Sequence, residues 1–430
     1  MVNRLYTLAF ALLLLVAHAW ADDVSVTTLP SGLKVIVREA NSTDLAALDI
    51  WVRAGAVNEL PEKCGTAHFI EHMIFKATDR YGPGQLDREI EGVGADLNAG
   101  TTHDYAHFYT TVPSDALPTA LNALADAVVN AVFREEEVEK ERRVILDELA
   151  RSEADPFQYA LDRVAGLLYL DHPYGRPQVG SRATIARITR DDLVAFHRAY
   201  FTPANTTVVI AGRVRSADVV ALVERAFAGF DRPSSPRVSH PEQSLDAPRI
   251  QSLPHRSAQA HVAVAFRAPG IADFREVCAM DVIEIILGSA AHGRIADALV
   301  REGVPFTKIR TDYVTRRDPS LLAVIAAVEP EYAEKARAAI VREIKRPRIT
   351  EDEVSYARRL IEGRYLFEQE TLAGRARALG FYETIASCDL ALKYVPTVRA
   401  ITVGDVESVA AKYFASESYA AVTLVSEASE

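Results

Sequence analysis

Cysteine is scarce in this sequence, which has only Cys64, Cys278 and Cys388 in 430 residues. An odd and sparse set of cysteines argues against a disulfide framework of the kind that stabilises many small exported proteins. Cys64 precedes His68 by four residues, yet a small buried thiol is the preferred interpretation over a metal ligand.

The sequence also lacks an excess of positive charge. Lys and Arg number 48 against 59 Asp and Glu, which gives a net charge of −11. Because nucleic-acid binders generally carry a basic surface, this balance argues against such a function. An acidic surface suits positively charged partners, although more often it only keeps a protein soluble.

Long apolar runs are absent after the first residues. The chain begins with Arg4 and an apolar stretch, Leu5–Val16, that is short for a membrane span. A small-x-small cleavage site follows and ends at Ala21. We therefore predict a signal peptide at residues 1–21, rather than a membrane anchor or a buried first helix. The mature chain is predicted to be periplasmic, with secretion as the alternative, and to have no membrane segment.

At this length one ordinary core is not expected, and the sequence indicates two repeats. The stretch GFDRPSSPRVSHPEQSLDAPRI is rich in proline and serine and predicts a linker at residues 229–250. After it, the strand-like HVAVAFRAP resembles LDIWVRAGA of the first half, and a pair of helical segments recurs. We predict an α+β fold of two homologous repeats, each with an antiparallel-rich sheet and helices, forming two halves of a clamshell. The N-terminal domain spans residues 24–228 and the C-terminal domain residues 251–430.

The segment HFIEH places His68 and His72 four residues apart, with Glu71 directly before the second histidine. On a helix both imidazoles lie on one face, where they can bind one ion. Glu71 lies beside that face and can hold a water. This order is the inverted zinc motif. The alternative is two core histidines near a carboxylate.

A catalytic zinc needs a third protein ligand, and the acidic helix after Arg134 offers candidates. Glu141 and Glu148 are seven residues apart and share one face of that helix. The pattern alone does not choose between them. A rival pair, His103 and His107 near Asp104, lies in a segment that is predicted to be a strand. Residues four apart on a strand are ~13 Å apart, too far to bind one ion.

Four segments together resemble the pitrilysin-type inverzincins, the family of insulysin and the mitochondrial processing peptidase. They are GTAHFIEHMIFKAT, GADLNAGTTHDY, ERRVILDEL and HPYGRPQVGSRATIARITRDDLVAFHRAYFTPAN. The resemblance covers essentially the whole mature chain, and it is greatest to processing peptidase subunits and their bacterial relatives with one pair of repeats.

The resemblance implies one Zn²⁺ per chain, bound by His68, His72 and Glu148. It also implies that Glu71 is the catalytic base and that Glu141 supports the ligands from behind. In family members the strand that matches DLNAGTTHDY is a sheet edge on which an extended peptide pairs. Asn98 and Ala99 are therefore expected to contact the substrate backbone.

The second half departs from the family pattern. Active relatives carry an arginine and a tyrosine that contact the substrate carbonyl. Here Val300 stands at the arginine position, with Arg301 one place away, and Phe306 stands at the tyrosine position. Phenylalanine cannot donate a hydrogen bond to an oxyanion, and losing one such donor typically costs ~10²–10³ in rate. Arg301 with Tyr313 is the alternative source of the pair.

The resemblance and this departure lead to one hypothesis. The chain is expected to be the zinc-bearing subunit of a two-chain metallo-endopeptidase that acts on short or unfolded peptides. A homologous partner without the zinc motif would supply the arginine and tyrosine, with a homodimer as the alternative assembly. The rival hypothesis is a non-catalytic scaffold or peptide-binding subunit that retains the fold.

Overall fold

The computed structural model describes residues 24–235, 238, 240–243, 245–288, 293–345 and 348–426. The predicted signal peptide at residues 1–21 lies outside the described residues. The strands are β1 (Val24–Thr28), β2 (Lys34–Glu39), β3 (Leu45–Val52), β4 (Asn98–Thr101), β5 (Ala106–Pro113), β6 (Thr206–Gly212), β7 (Arg249–His255), β8 (Ala260–Ala268), β9 (Phe306–Tyr313), β10 (Ser320–Val328) and β11 (Tyr419–Ser426).

Helices occur in both halves of the described chain, and within it none is long and apolar enough to span a membrane. The α-helices are α1 (Thr66–Ile74), α2 (Gln85–Glu91), α3 (Leu117–Asn130), α4 (Glu135–Ala154), α5 (Pro156–Leu168), α6 (Arg182–Ile185), α7 (Arg190–Tyr200), α8 (Ser216–Ala226), α9 (Phe274–Gly288), α10 (Arg294–Arg301), α11 (Ala333–Ile344), α12 (Glu351–Glu368), α13 (Leu372–Ile385), α14 (Asp389–Arg399) and α15 (Val403–Phe414).

The first sheet has the strand order β1-β2-β6-β3-β5-β4 and is antiparallel except where β2 pairs with β6. A tight turn joins β1 to β2, in which Gly32 adopts φ of +90°, a conformation that favours glycine. On one face of this sheet, Phe69 of α1 and Leu124 of α3 form a continuous core with Phe108 of β5. Strand β4 lies at the edge of the sheet, beside α1.

The second sheet repeats the topology of the first. Its strand order is β7-β11-β8-β10-β9, and its one parallel pair is β7 with β11. If each strand is replaced by its counterpart in chain order, this becomes β2-β6-β3-β5-β4, the order of the first sheet. The predicted α+β fold of two homologous repeats is therefore confirmed.

Each sheet is covered on its other face by a helix from the opposite repeat. Helix α5 of the N-terminal half packs on β8 and β11, where Val164 shares a core with Ala263. Helix α13 of the C-terminal half packs on β3 and β6, where Leu379 shares a core with Trp51. The two repeats thus exchange equivalent helices, so neither sheet is fully buried by its own half.

Polar contacts fix α13 on the first sheet. The Arg53 guanidinium of the N-terminal half donates to the carbonyl oxygens of Glu383 at 2.9 Å and of Thr384 at 3.1 Å. The buried Glu383 carboxylate also forms an ion pair with Lys34. Because buried carboxylates require partners, these contacts select one position of α13 on the sheet.

Two details differ from the sequence analysis. The segment ADLNAGTTHDYAHFYTTV, residues 95–112, is predicted as a strand, whereas residues 98–113 form the hairpin of β4 and β5. In its turn Thr102 N donates to Tyr105 O at 2.7 Å. Threonines and aromatics suit both arms, so composition could not locate the turn. Helix α5 was not predicted, although Asp155 caps it by accepting a hydrogen bond from Phe157 N at 2.9 Å.

Candidate metal centre

The N-terminus of helix α1 is buried against neighbouring residues. Gly65 precedes it with φ of +98°, and a Cβ there would lie 2.5 Å from Ile185 Cδ1, so only glycine fits. The buried Glu59 carboxylate accepts hydrogen bonds from Gly65 N at 2.9 Å and from Ala67 N at 2.7 Å. A carboxylate at a helix N-terminus satisfies free N–H groups and stabilises the helix. Glu59 therefore fixes the start of the helix that carries both histidines.

Helix α4 packs against α1 and brings Glu148 between the two imidazoles. His68 Nε2 lies 3.7 Å from Glu148 Oε1, and His72 Nε2 lies 3.4 Å from Glu148 Oε2. One ligand atom from each of these residues lies within 4.8 Å of the others. The sequence pattern does not decide whether Glu141 or Glu148 is the third ligand, and the fold brings Glu148 to this cluster.

The donor set fits a catalytic zinc ion, which takes three protein ligands of the nitrogen and oxygen type and keeps an open position. His68 is 6% exposed, and within the described residues its Nδ1 atom is buried without a hydrogen-bond partner. Burial lowers the pKa of the His68 imidazole and thereby favours the neutral form that binds metals. The Glu148 side chain is 39% exposed, so the cluster opens on that side.

Glu141 lies on α4 seven positions before Glu148, on the other side of the His72 ring. Its Oε2 atom is 3.3 Å from His72 Nδ1, and its Oε1 atom accepts a hydrogen bond from Lys76 Nζ at 2.7 Å. A carboxylate on the second nitrogen of a ligating histidine orients the ring and raises its basicity. Glu141 and Glu148 are seven positions apart, about 10.5 Å along the helix, and their carboxylates reach the two different ring nitrogens of His72.

We expect Glu141→Gln to weaken the binding of Zn²⁺ to the purified chain by about 10–100-fold, because the His72 ring loses its anionic partner. The affinity can be measured by competition with a chelator. Glu139→Gln is a matched control on the same helix, since the Glu139 carboxylate contacts Arg142 at 2.8 Å. Equal affinities in the two variants would show that Glu141 does not act on His72.

Other sequence candidates lie apart from this cluster. Cys64 is a buried free thiol whose Sγ donates to Pro61 O at 3.1 Å. His103 lies in the β4–β5 turn with its Nε2 atom 3.0 Å from Arg176 O, so its predicted place on a strand is wrong. His107 lies on β5 with its Nδ1 atom 3.1 Å from Asp49 Oδ1. Each histidine thus has its own polar partner.

The predicted peptide-binding residues lie on the free edge of the first sheet. Asn98 on β4 is exposed, and Ala99 is half-buried against the core that contains α1. Gln178 donates a hydrogen bond from its side chain to Thr101 O, which covers the far end of the edge. The backbone from Asn98 to Gly100 is therefore the part of the edge that this contact does not cover.

The degenerate segment of the second half has other contacts. Val300 is 68% exposed at the end of α10. Arg301 forms an ion pair with Glu343 at 3.0 Å, and Phe306 packs against the second core. Tyr313, the alternative donor, is buried and donates to Pro269 O at 3.2 Å. The hydroxyl of Tyr313 is therefore engaged within its own half.

Both halves of the chain match models of one protein family. Residues 34–182 match the model described as insulinase, peptidase family M16, and residues 187–361 match the peptidase M16 inactive domain. An "uncharacterized zinc protease" of Mycobacterium tuberculosis is 30% identical over 408 residues, 93% of this chain and 92% of the relative. A "Probable mitochondrial-processing peptidase subunit beta" of Arabidopsis thaliana is 29% identical over 376 residues, 84% of this chain and 70% of the relative.

Solved structures share the same fold. A protease from Helicobacter pylori superposes with a TM-score of 0.87 at 23% identity, over 94% of this chain and 100% of that chain. A peptidase M16 inactive domain from Pseudomonas fluorescens superposes with a TM-score of 0.85 at 19% identity, over 95% and 99%. At these identities the likeness establishes the fold alone.

Proposed function

Because the chain belongs to the insulinase family of peptidases, family M16, we propose that it is the catalytic subunit of a zinc-dependent endopeptidase. Its substrates are short or unfolded peptides. The observation that carries this proposal is that ligand atoms of His68, His72 and Glu148 lie within 4.8 Å of one another. Helix α1, which holds both histidines, also carries Glu71 and contacts the edge strand β4.

His68, His72 and Glu148 would hold the metal, and Glu141 would orient the His72 ring. When bound, Zn²⁺ polarises the scissile carbonyl and makes water more acidic. Glu71 is half-buried on α1 and accepts the proton of the attacking water. As the C–N bond breaks and the new C–O bond remains, Glu71 returns that proton to the leaving amine.

The free edge of β4 would position the peptide. An extended substrate adds a strand to this edge through backbone hydrogen bonds, which do not depend on its sequence. Sequence preference then comes only from contacts of the substrate side chains with the protein. Asn98 and Ala99 lie on that edge, where Asn98 is exposed and Ala99 is half-buried. This mode requires an extended segment and therefore favours short or unfolded peptides over folded proteins.

A homologous partner chain would complete the site. Arg301 and Tyr313 have partners within their own half, and Phe306 cannot donate a hydrogen bond. In this proposal the oxyanion donor comes from a second chain, in a heterodimer with a homologous partner or, as the alternative assembly, in a homodimer. One relative is itself named as a subunit of a processing peptidase, which supports a multi-chain assembly. We also propose that the mature chain works in the periplasm.

The proposal is tested with a quenched, unstructured peptide and the full mature chain, alone and mixed with a homologue that lacks the zinc motif. We expect hydrolysis only in the mixture, and none when the chain carries Glu71→Gln. Full activity of the chain alone would refute the need for a partner. Zinc binding without activity in either sample would favour the alternative function, a scaffold or peptide-binding subunit, which Phe306 already favours.

A further inference from the structure

A cavity of about 760 Å³ lies where the free edge of the first sheet meets the C-terminal half. It is on the face of the sheet opposite α1, because His107 and Tyr109 line it while Phe108 between them points into the core with α1. Its wall on the other side comes from the end of α12, the turn that follows it, α13 and one residue of α14. Many of its lining side chains are aromatic, among them Trp51, Tyr105, Tyr109, Tyr365, Phe367 and Phe381.

Three rings form a stacked row along the floor of this cavity. Trp51 and His107 have ring centroids 4.3 Å apart, and His107 and Tyr109 have centroids 5.0 Å apart, with interplanar angles of 25° and 16°. The Arg377 guanidinium of α13 lies over the Tyr109 ring at 5.4 Å. Trp51 is 1% exposed and Arg377 lies over Tyr109, so the half-buried His107 and Tyr109 present mainly their edges to the cavity. A further aromatic ring can pack against such edges in an edge-to-face arrangement.

His107 is held in a fixed orientation that connects the row to the sheet edge. Its Nδ1 atom is 3.1 Å from Oδ1 of Asp49, which is 3% exposed. Its Nε2 atom points at Gly100 of β4, where an added Cβ would lie only 2.9 Å away. A side chain at Gly100 would therefore crowd His107. With glycine there, the aromatic floor reaches the edge of the sheet.

We propose that this cavity receives a large aromatic side chain of the peptide that pairs with β4. The inference rests on the proposed function, because it requires a peptide strand on this edge. Successive side chains of a strand point to opposite faces of a sheet. A peptide on β4 therefore directs alternate side chains to the metal side and to this cavity. Aromatic lining then selects peptides with a phenylalanine, tyrosine or tryptophan at a cavity-facing position.

The mouth of the cavity supplies a residue on which the proposal can be tested. Phe367, at the end of α12, lines the cavity and yet is 79% exposed. Its neighbour Leu366 is 49% exposed and does not line the cavity. Both side chains are apolar and solvent-exposed on the same helix, so truncating either one leaves the core intact.

The experiment measures binding without turnover. The full mature chain carrying Glu71→Gln is loaded with Zn²⁺, and the affinity of fluorescent extended peptides is measured by anisotropy. The peptides differ only at one central residue, which is Ala, Leu, Phe, Tyr or Trp. We expect the aromatic peptides to bind about tenfold more tightly than the Ala peptide. Phe367→Ala should reduce that advantage to less than about threefold, whereas Leu366→Ala should preserve it.

Each other outcome overturns the proposal in a distinguishable way. Equal affinity for all five peptides would refute the aromatic subsite and leave peptide binding at the edge intact. An aromatic advantage that Phe367→Ala and Leu366→Ala change equally would place the aromatic contact elsewhere on the chain. A failure of every peptide to bind would refute both this inference and the proposed use of the β4 edge.

Discussion

Glu71→Gln is expected to lower the rate of peptide hydrolysis by about 10²–10⁴-fold while the chain keeps its Zn²⁺. Glutamine has the shape of glutamate but cannot take a proton from the attacking water. His68, His72 and Glu148 are unchanged in this variant, so the metal cluster retains its ligands. The measurements are kcat/KM on the quenched peptide and the zinc content of the purified protein, in whichever assembly the parent chain is active.

Glu62→Gln is the matched control for this experiment. Glu62 is an exposed carboxylate in the short turn Pro61–Lys63 before α1, and its removal changes the net charge equally. The control should retain the parent activity. Activity of the Glu71 variant within tenfold of the parent would exclude a role as catalytic base. Loss of Zn²⁺ along with activity would show that Glu71 acts instead on the integrity of the metal cluster.

Gly380→Ala is expected to destabilise the protein by about 3 kcal/mol, because it adds a methyl group where there is no space. A Cβ at Gly380 would lie 2.0 Å from Nε1 of Trp51, which is 1% exposed in the first sheet. Gly380 is thus a position at which α13 is in close contact with the sheet of the other repeat. The loss can be measured as a lower midpoint of urea unfolding.

Gly363→Ala gives the opposite result and serves as the control. Gly363 lies in α12 with open space around it, so alanine only improves helix propensity there, by about 1 kcal/mol. The two variants make the same chemical change in neighbouring helices of the same half. A stabilising effect in both would mean that α13 does not pack on Trp51 as described.

The metal motif could be predicted because its signal is local. His68, Glu71 and His72 belong to one helix, and the helical repeat alone brings their side chains to the same side of it. The third ligand is a different case, because Glu141 and Glu148 satisfy the same periodicity. Only the packing of α4 on α1 distinguishes them, by setting Glu148 between the imidazoles and Glu141 beside Lys76. The sequence selects Glu148 only through resemblance to a family, not through its periodicity.

The repeats were also predictable, but the exchange of helices was not. Strand patterns in HVAVAFRAP and LDIWVRAGA show that the halves are alike, and the shared strand order confirms it. An apolar helix face such as that of α5 shows that the helix is covered, yet it does not show by which sheet. The aromatic cavity was missed for the same reason, since its two walls come from residues of different halves.

The exchanged helices set an order of events during synthesis. Arg53 donates to the carbonyl oxygen of Thr384, which is 331 positions later in the chain. The face of the first sheet that α13 covers therefore stays exposed until almost all of the protein has been synthesised. Contacts this distant form slowly, because the long intervening chain must be closed into a loop first. An N-terminal fragment that ends within the linker would contain His68, His72 and Glu148 but would lack α13, the helix that covers one face of its sheet. The half that carries the candidate metal site therefore does not complete its fold alone, and its completion depends on the last third of the polypeptide.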